Sequence, residues 1–192
     1  MKRVSKLGLI IGTVLWLVAN LSCSKGSGQP ARYEKDGIRL TLPSQCTVTK
    51  DEYLDEQHRG RVVHIEGPGD AVFNILCVPA KSPKTLDQFA ASIAEDRVSR
   101  IKEKSSVGGI NLAKATRGTS ESTTARIQGS EREGIRQRYS IAGLGVVVPH
   151  VAEFYMLNTQ QYKVVLMTQA TDDELQSARV YWQTIFDTLK LD

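Results

Sequence analysis

Alternation of apolar and polar residues is the clearest pattern in the chain between residue 30 and the first helical segment. The run 38–42 alternates strictly, and the Asp36 and Gly37 pair before it is a strong hairpin turn signal. Segment 61–67 also has the composition of a strand, and segment 71–79 is apolar enough for the centre of a sheet. The pattern therefore predicts four or so strands before the first helix.

Helical spacing replaces alternation in two later segments. The first helix begins at Thr85, which forms a capping box with Gln88. Its predicted core stripe consists of Leu86, Phe89, Ala90, Ile93, Ala94 and Ile101, with Val98 beside it. The last helix is predicted to begin at Thr171, with Glu174 as the capping partner. Its predicted core stripe consists of Leu175, Ala178, Trp182, Ile185, Phe186 and Leu189.

Strand patterns also occupy part of the region between the helices. Segment 105–124 is poor in large apolar residues, which predicts a long loop or a mobile edge. Segment 134–143 alternates, and 150–157 with 162–170 has the pattern of a hairpin. The order strands, helix, strands, helix, with hairpins between strands, predicts an α+β fold with a largely antiparallel sheet flanked by helices.

The N-terminus has the layout of a secretory signal peptide, which we place at residues 1–22. Lys2, Arg3 and Lys6 precede the uncharged apolar run 7–21, and small residues follow this run. Two other interpretations remain open. One is a retained membrane anchor, although the run is shorter than the roughly 20 residues that cross a bilayer. The other is a buried helix of the domain, although the run has no polar face.

Removal of the predicted signal peptide would lower the net charge of the chain. The whole chain has 25 basic and 21 acidic side chains, a net charge of +4. Residues 1–22 carry three basic and no acidic side chains, so the remainder has 22 against 21, a net charge of +1. A nucleic-acid partner needs a surplus of basic residues on one face, and we therefore expect none.

The residues around Cys23 indicate a lipid anchor. The sequence "NLSC", ending at Cys23, resembles the lipobox that directs diacylglyceryl transfer to the cysteine of bacterial lipoproteins. Residues 23–30 are rich in Gly and Ser, which is typical of a flexible tether, and 31–192 then form a single globular domain. The resemblance implies a membrane-bound, lipidated (palmitate-bearing) protein. Ser24 after the cysteine implies the periplasmic face of the outer membrane.

Two cysteines remain if Cys23 is lipidated. Cys46 and Cys77 then form the natural candidate for a disulfide in an exported protein. The loop they would close, about 30 residues, would stabilise the fold by about 3–4 kcal/mol. The alternative is that one or both are small buried apolar side chains with free thiols.

Three phrases of the chain carry a family resemblance. These are "YEKDGIRLTLP" near the start of the domain, "TLDQFAASIAE" in the first helix, and "YKVVLMTQATDDELQSARVYWQTIFDTLKL" at the end. They resemble the PsbP-like fold, which includes small bacterial lipoproteins of the DcrB kind. The resemblance implies an α/β/α sandwich and an accessory or assembly role. It implies no catalytic residue and no cofactor.

Little in the sequence indicates chemistry. His64 and Glu66 share one face of a predicted strand and would support a metal ion only if a third ligand, such as His150 or Glu153, came near. A solvent-facing polar strand explains the pair equally well, and we assign no metal site. The chain has no nucleophile elbow and no phosphate-binding loop, so we predict that it is not an enzyme.

Arginines concentrate in the second half of the domain. Arg136 and Arg138 share one face of a predicted strand, with glutamates interleaved nearby. They would suit an acidic partner or lipid headgroups, whereas a charge-balanced, solvated sheet face is the alternative.

These observations favour a non-enzymatic, lipid-anchored envelope protein that acts as an accessory or interaction module for another envelope protein. The alternative is an envelope lipoprotein that binds a small molecule or a metal, in a pocket between the sheet and segment 105–124.

Overall fold

The computed structural model describes residues 29–55, 57, 60–107 and 110–192. The predicted signal peptide, the lipidation site at Cys23 and the tether as far as residue 28 lie outside these residues, so the domain boundaries at 22 and 30 stay predictions. Before the first helix the strands are β1 (Ala31–Lys35), β2 (Ile38–Leu42), β3 (Thr47–Tyr53), β4 (Arg61–Glu66) and β5 (Val72–Pro79). After it, the elements are as follows: α1 (Leu86–Lys104), β6 (Ser106–Val107), β7 (Ile110–Asn111), β8 (Ala113–Ile127), β9 (Ser130–Gly143), β10 (Val146–Asn158), β11 (Tyr162–Thr171), α2 (Leu175–Thr188) and β12 (Lys190–Leu191).

One seven-stranded sheet forms the centre of the domain. Its strand order is β3-β4-β5-β11-β10-β9-β8, and β1, β2 and β12 form a second, three-stranded sheet. Every pairing between the described strands is antiparallel. The α+β class with a largely antiparallel sheet is thereby confirmed.

The two faces of the central sheet are covered differently. Helix α2 and the small sheet cover one face, where the larger core includes Phe73, Tyr155, Trp182 and Phe186. Helix α1 covers part of the other face, where a smaller core forms around Phe154. The architecture is therefore the predicted layered sandwich, with a helix on each side of the sheet.

Three two-residue turns close the hairpins β1–β2, β8–β9 and β9–β10. Both residues of each turn have positive φ, at 46° and 76° for the Asp36–Gly37 turn. The other two are Gln128–Gly129 and Leu144–Gly145. Glycine at the second position accepts this backbone without steric cost, and the turn geometry matches the twist of the flanking strands. The sequence signal at Asp36 and Gly37 is confirmed.

Segment 105–124 corrects the sequence prediction of a long loop. Most of it belongs to β8, which pairs with β9 along nearly its whole length and forms an edge of the central sheet. Its side chains are mostly exposed, with only scattered buried positions. Backbone pairing with β9 stabilises the strand without large apolar residues, and its several threonines suit a strand.

The helices agree with the sequence except at one end. The Thr85–Gln88 capping box and the α2 core stripe are both present. The predicted cap of α2 at Thr171 is wrong, because Thr171 is the last residue of β11 and pairs with His150. The Glu174 carboxylate accepts hydrogen bonds from the backbone N–H of Asp70 at 3.1 Å and from the Thr171 hydroxyl at 3.5 Å, but neither caps the helix, and α2 begins at Leu175. Neither helix of the described residues is a candidate for spanning a membrane.

Candidate functional site

The two domain cysteines are free thiols, so the predicted disulfide is absent from the structure. Cys77 lies opposite Arg61 at the start of β4, whereas Cys46 contacts Gly67, just beyond its end. Six residues of strand between these points span about 20 Å, far beyond the Cα separation that a disulfide bridges. The sequence offered the pairing only by elimination, and the register of β4 contradicts it.

Arg136 belongs to an internal ion-pair network. Its guanidinium group lies 2.8 Å from the Glu153 carboxylate, which Arg179 of α2 also contacts at 2.8 Å. Burial alone would raise the pKa of Glu153, but hydrogen bonds from Arg179 and Arg136 hold that pKa below its usual value. Arg136 therefore neutralises a buried carboxylate, which is a structural role.

Arg138 lies in a different environment from Arg136, two residues away on the same strand. Its side chain is half-exposed and forms an ion pair with Asp172 at 2.9 Å. Glu121 lies between the two arginines, at 3.3 Å from Arg136 and 3.9 Å from Arg138. The two arginines therefore form a charge-balanced face, and their predicted role in partner binding stays a prediction.

The candidate metal ligands do not converge. His64 and Glu66 are 3.3 Å apart on one face of β4, as their spacing predicted. His150 stacks on Tyr139, and Glu153 faces α2 on the opposite side of the sheet. The described residues contain no group of three His, Cys, Asp or Glu side chains that would hold a metal ion.

An open groove, which we call the α1 groove, lies on the face of the sheet that α1 partly covers. It has a volume of about 900 Å³ and lies between α1 and the face of the sheet formed by β3, β4, β5 and β11. Its apolar lining residues are Leu54, Val62, Val72, Leu76, Ile93, Ile101, Val165 and Met167. Volumes of this size are typical of small-molecule sites.

Strand alternation explains why the floor of the groove is apolar. On β5, Phe73 and Ile75 point into the α2 core, so Val72, Asn74 and Leu76 face the groove. The pairing register places Leu76 beside Val62 and Val165 in one row across three strands. Helix α1 packs chiefly on β8, β9 and β10, so Val62 and Leu76 stay partly exposed, whereas Val165 is fully buried.

The charged side chains around the groove are nearly all paired. Lys50 lies 2.7 Å from Glu52, and Arg100 lies 2.6 Å from Asp96. In these two ion pairs the positive and negative charges compensate one another.

Arg97 is the exception within the described part of the chain. Its guanidinium carbon lies 4.2 Å from the centre of the Tyr139 ring, and Nη2 donates to Met167 Sδ at 3.8 Å. A thioether sulfur is a weak acceptor, and no carboxylate of the described residues forms an ion pair with Arg97. Burial lowers the pKa of Arg97, because the partly desolvated cation has no anionic partner that offsets the cost.

Sequence reasoning missed Arg97, although a signal was present. The α1 stripe continues from Ile93 and Ala94 to Ile101, and position 97 falls within it at helical spacing. A charged residue inside an apolar stripe is either paired in the core or placed for a ligand. Only the structure distinguishes these cases.

A second, smaller cavity of about 190 Å³ lies beside the small sheet. Arg61, which is 4% exposed, borders it and makes two hydrogen bonds to Asp51, at 2.8 and 3.0 Å. The Arg61 hydrogen bonds hold the pKa of Asp51 far below its usual range, with further hydrogen bonds from Lys35 and Tyr33. This network ties β1 to β3 and β4, and the cations and anions in it satisfy one another.

The α1 groove resembles a binding site more than a reactive one. Its described lining offers a largely apolar floor, a helical wall that combines Ile93 and Ile101 with charged side chains, and one guanidinium group, that of Arg97, without a carboxylate partner. No described lining residue is a serine or cysteine hydrogen-bonded to a base, which is the arrangement that nucleophilic catalysis requires.

Comparison with protein-family models found no match. Comparison with curated proteins found none either. Among solved structures, the fold is similar to cyanobacterial PsbP (CyanoP) from Synechocystis sp. PCC 6803, at 14% identity over 88% of this chain and 96% of that chain, with a TM-score of 0.48. It is also similar to LpqN, involved in cell envelope biogenesis of Mycobacterium tuberculosis, at 14% identity over 85% and 89% of the two chains and a TM-score of 0.37.

A third similar structure is PA94 from Pseudomonas aeruginosa, a protein of unknown function. It matches at 14% identity over 81% of this chain and 92% of that chain, with a TM-score of 0.32. These are similarities of fold, and the function is argued from the α1 groove.

Proposed function

We propose that this chain is a non-enzymatic, envelope-associated binding module whose α1 groove takes up an apolar ligand. The observation that carries the proposal is the apolar floor of the α1 groove, where Val62 and Leu76 are partly exposed beside the buried Val165. Burying such a surface against a ligand removes apolar area from water, which stabilises the complex. The predicted small-molecule role is therefore favoured, with its pocket beside α1 and not beside segment 105–124.

Envelope association rests on the sequence. The apolar run, the lipobox-like residues and the Gly/Ser tether are the basis for proposing that Cys23 is lipidated and holds the domain at a membrane surface. Two acyl chains or more are needed for firm anchoring, since a single chain binds only marginally. The mass of the mature N-terminal peptide tests this, and an unmodified Cys23 in that peptide would contradict lipidation.

Binding of an uncharged fluorescent probe tests the role of the groove. N-phenyl-1-naphthylamine gains fluorescence in an apolar environment, and we expect saturable binding to the full chain. Leu76→Trp would fill the middle of the groove and weaken this binding about tenfold or more, because the probe loses apolar contact area. Val180→Trp is the matched control, since Val180 is 67% exposed on α2, which packs on the opposite face of the sheet.

The result that supports the proposal is loss in the groove variant alone. Equal binding by Leu76→Trp and the unmodified chain would overturn it. A melting temperature of Leu76→Trp close to that of the unmodified chain shows that the variant is folded. Leu76→Ser supplies a second perturbation of the floor, without added bulk, should the larger side chain disturb the sheet.

A second candidate function, an interaction with another envelope protein, is favoured by a separate surface. The β9–β10 hairpin tip exposes Leu144 at 87%, Val146 at 60% and Val147 at 64%. Adjacent exposed apolar residues of this kind often mark a protein interaction site. A photo-crosslinking residue at position 147 is expected to capture a defined envelope protein that the same residue at position 180 does not. Equal capture at both positions would contradict the interaction.

A further inference from the structure

Among the described Lys, Arg, Asp and Glu residues that line the α1 groove, one cation has no ion-pair partner. Lys50 has Glu52 on its own strand, and Arg100 has Asp96 one turn earlier on α1. Arg97 has no such partner among the described residues. Any occupant of the groove therefore meets an apolar floor with a single uncompensated positive charge beside it.

The position of Arg97 suits a ligand headgroup. Its planar group is held from one side by the Tyr139 ring and contacts Met167 on β11. This fixed guanidinium is pre-organised, so little side-chain entropy remains to be lost when an anion binds. Leu54, which is 52% exposed, lies by the edge strand β3, across the width of the floor from Met167. The three strand spacings between β11 and β3 span about 14 Å.

We propose that the α1 groove binds a fatty acid, with its carboxylate on Arg97 and its hydrocarbon chain across the floor toward β3. This rests on the proposed function and adds the chemical class of the ligand. A single negative charge matches the single unpaired cation, and a planar carboxylate matches the fork of the guanidinium group. A doubly charged phosphate would leave excess negative charge beside Asp96 and Glu52. A cationic head would place a second positive charge beside Arg97.

The test compares three probes with the same twelve-carbon chain and different heads. Isothermal titration of the full chain is made with dodecanoate, dodecan-1-ol and dodecyltrimethylammonium, each below the concentration at which micelles form. We expect dodecanoate to bind about tenfold or more tighter than the alcohol, because a hydrogen bond to a charged group is formed only with the carboxylate. The cation is expected to bind most weakly.

Variants of α1 assign the preference to Arg97. Arg97→Gln should abolish the advantage of dodecanoate while leaving the affinity for dodecan-1-ol within about threefold, since the floor is intact. Lys102→Gln is the matched control, because Lys102 lies exposed on the same helix and is not among the residues that line the groove. Arg97→Lys retains the charge and should retain most of the preference.

The outcomes separate the two proposals. Equal binding of dodecanoate and dodecan-1-ol by the unmodified chain would overturn the fatty-acid inference and leave the apolar groove standing. Loss of the preference in Lys102→Gln as well as in Arg97→Gln would also overturn it. Binding of none of the three probes, nor of N-phenyl-1-naphthylamine, would overturn both. Since the comparison of headgroups is made on the unmodified chain, it holds even if Arg97→Gln does not fold.

Discussion

Replacing Glu153 by glutamine tests the assignment of a structural role to Arg136. The Glu153 side chain is 5% exposed and lies 2.8 Å from both Arg136 and Arg179. It also accepts a hydrogen bond from the Tyr155 hydroxyl at 3.0 Å. Glutamine preserves the shape but removes the charge, and thus leaves two guanidinium groups around one neutral acceptor.

The expected loss of stability follows from the exposure of the partners. Removing one member of a fully buried ion pair typically costs about 3–5 kcal/mol. Arg136 and Arg179 are 22% and 38% exposed, so water partly solvates the guanidinium groups that lose their anion. We therefore expect Glu153→Gln to lower the free energy of unfolding by about 2–3 kcal/mol at pH 7.

The effect also has a pH dependence with a definite sign. The pKa of Glu153 is lower in the folded chain than in the unfolded one, where it is about 4.3. The charged carboxylate therefore stabilises the fold fully above about pH 4.3, and this contribution is lost as pH falls through the lower folded pKa. The difference between the unmodified chain and Glu153→Gln should narrow at acid pH.

Urea denaturation followed by circular dichroism measures this difference. Glu121→Gln is the control, because the Glu121 side chain is 47% exposed and should contribute less than about 1 kcal/mol. If the free energy of unfolding of Glu153→Gln lies within about 0.5 kcal/mol of that of the unmodified chain at pH 7, the ion pairs of Glu153 do not stabilise the fold as proposed. A loss in the control equal to that in Glu153→Gln would also contradict this role.

Three further predictions concern other parts of the fold. Asp51→Asn should destabilise the chain at neutral pH, because it removes the charge that Arg61 contacts. The folded pKa of Asp51 is depressed, so the difference in unfolding midpoint between the variant and the unmodified chain should narrow as pH falls below about 3.9, and a constant difference would contradict the network. Trp182→Ala should lower the free energy of unfolding by about 3–5 kcal/mol in chemical denaturation, because Trp182 is 3% exposed in the larger core. Val180→Ala, at an exposed position on the same helix, should change it by less than about 0.5 kcal/mol, and similar values for the two variants would contradict the core position of Trp182. Burial raises the pKa of the Cys77 thiol to about 11, so peptide mapping after iodoacetamide treatment at pH 8 should find Cys77 modified only in the unfolded chain. A peptide with a Cys46–Cys77 disulfide would contradict the strand register.

The sequence predicted most elements whose side chains alternate or repeat with helical spacing. The hairpin at Asp36 and Gly37, the capping box at Thr85 and the α2 stripe each depend on neighbouring residues, so local pattern was sufficient. Strand β8 was not predicted as a strand, because its stability comes from pairing with β9, which its own small and polar side chains do not reveal. The hydrogen bond from Asp70 to Glu174 was also not predictable, because the two residues are far apart in the chain.

The candidate site was harder to predict for the same reason. Arg136 and Arg138 follow each other on one face of a strand, and their different roles depend on Glu153 from β10 and Asp172 from the turn after β11. The α1 groove arises because α1 packs toward one side of the sheet, which no local pattern encodes. Arg97 was visible as a charge within an apolar stripe, but only the folded structure shows that no described carboxylate pairs with it.

Methyl-resolved NMR of the full chain with added dodecanoate shows directly whether the ligand binds in the α1 groove. We expect saturable shifts of the methyl signals of Val62, Leu76, Val165 and Met167, which line the groove, while those of Val180 on α2 stay unchanged. Shifts confined to the β9–β10 tip, or no saturable shift at any methyl group, would contradict binding in the groove.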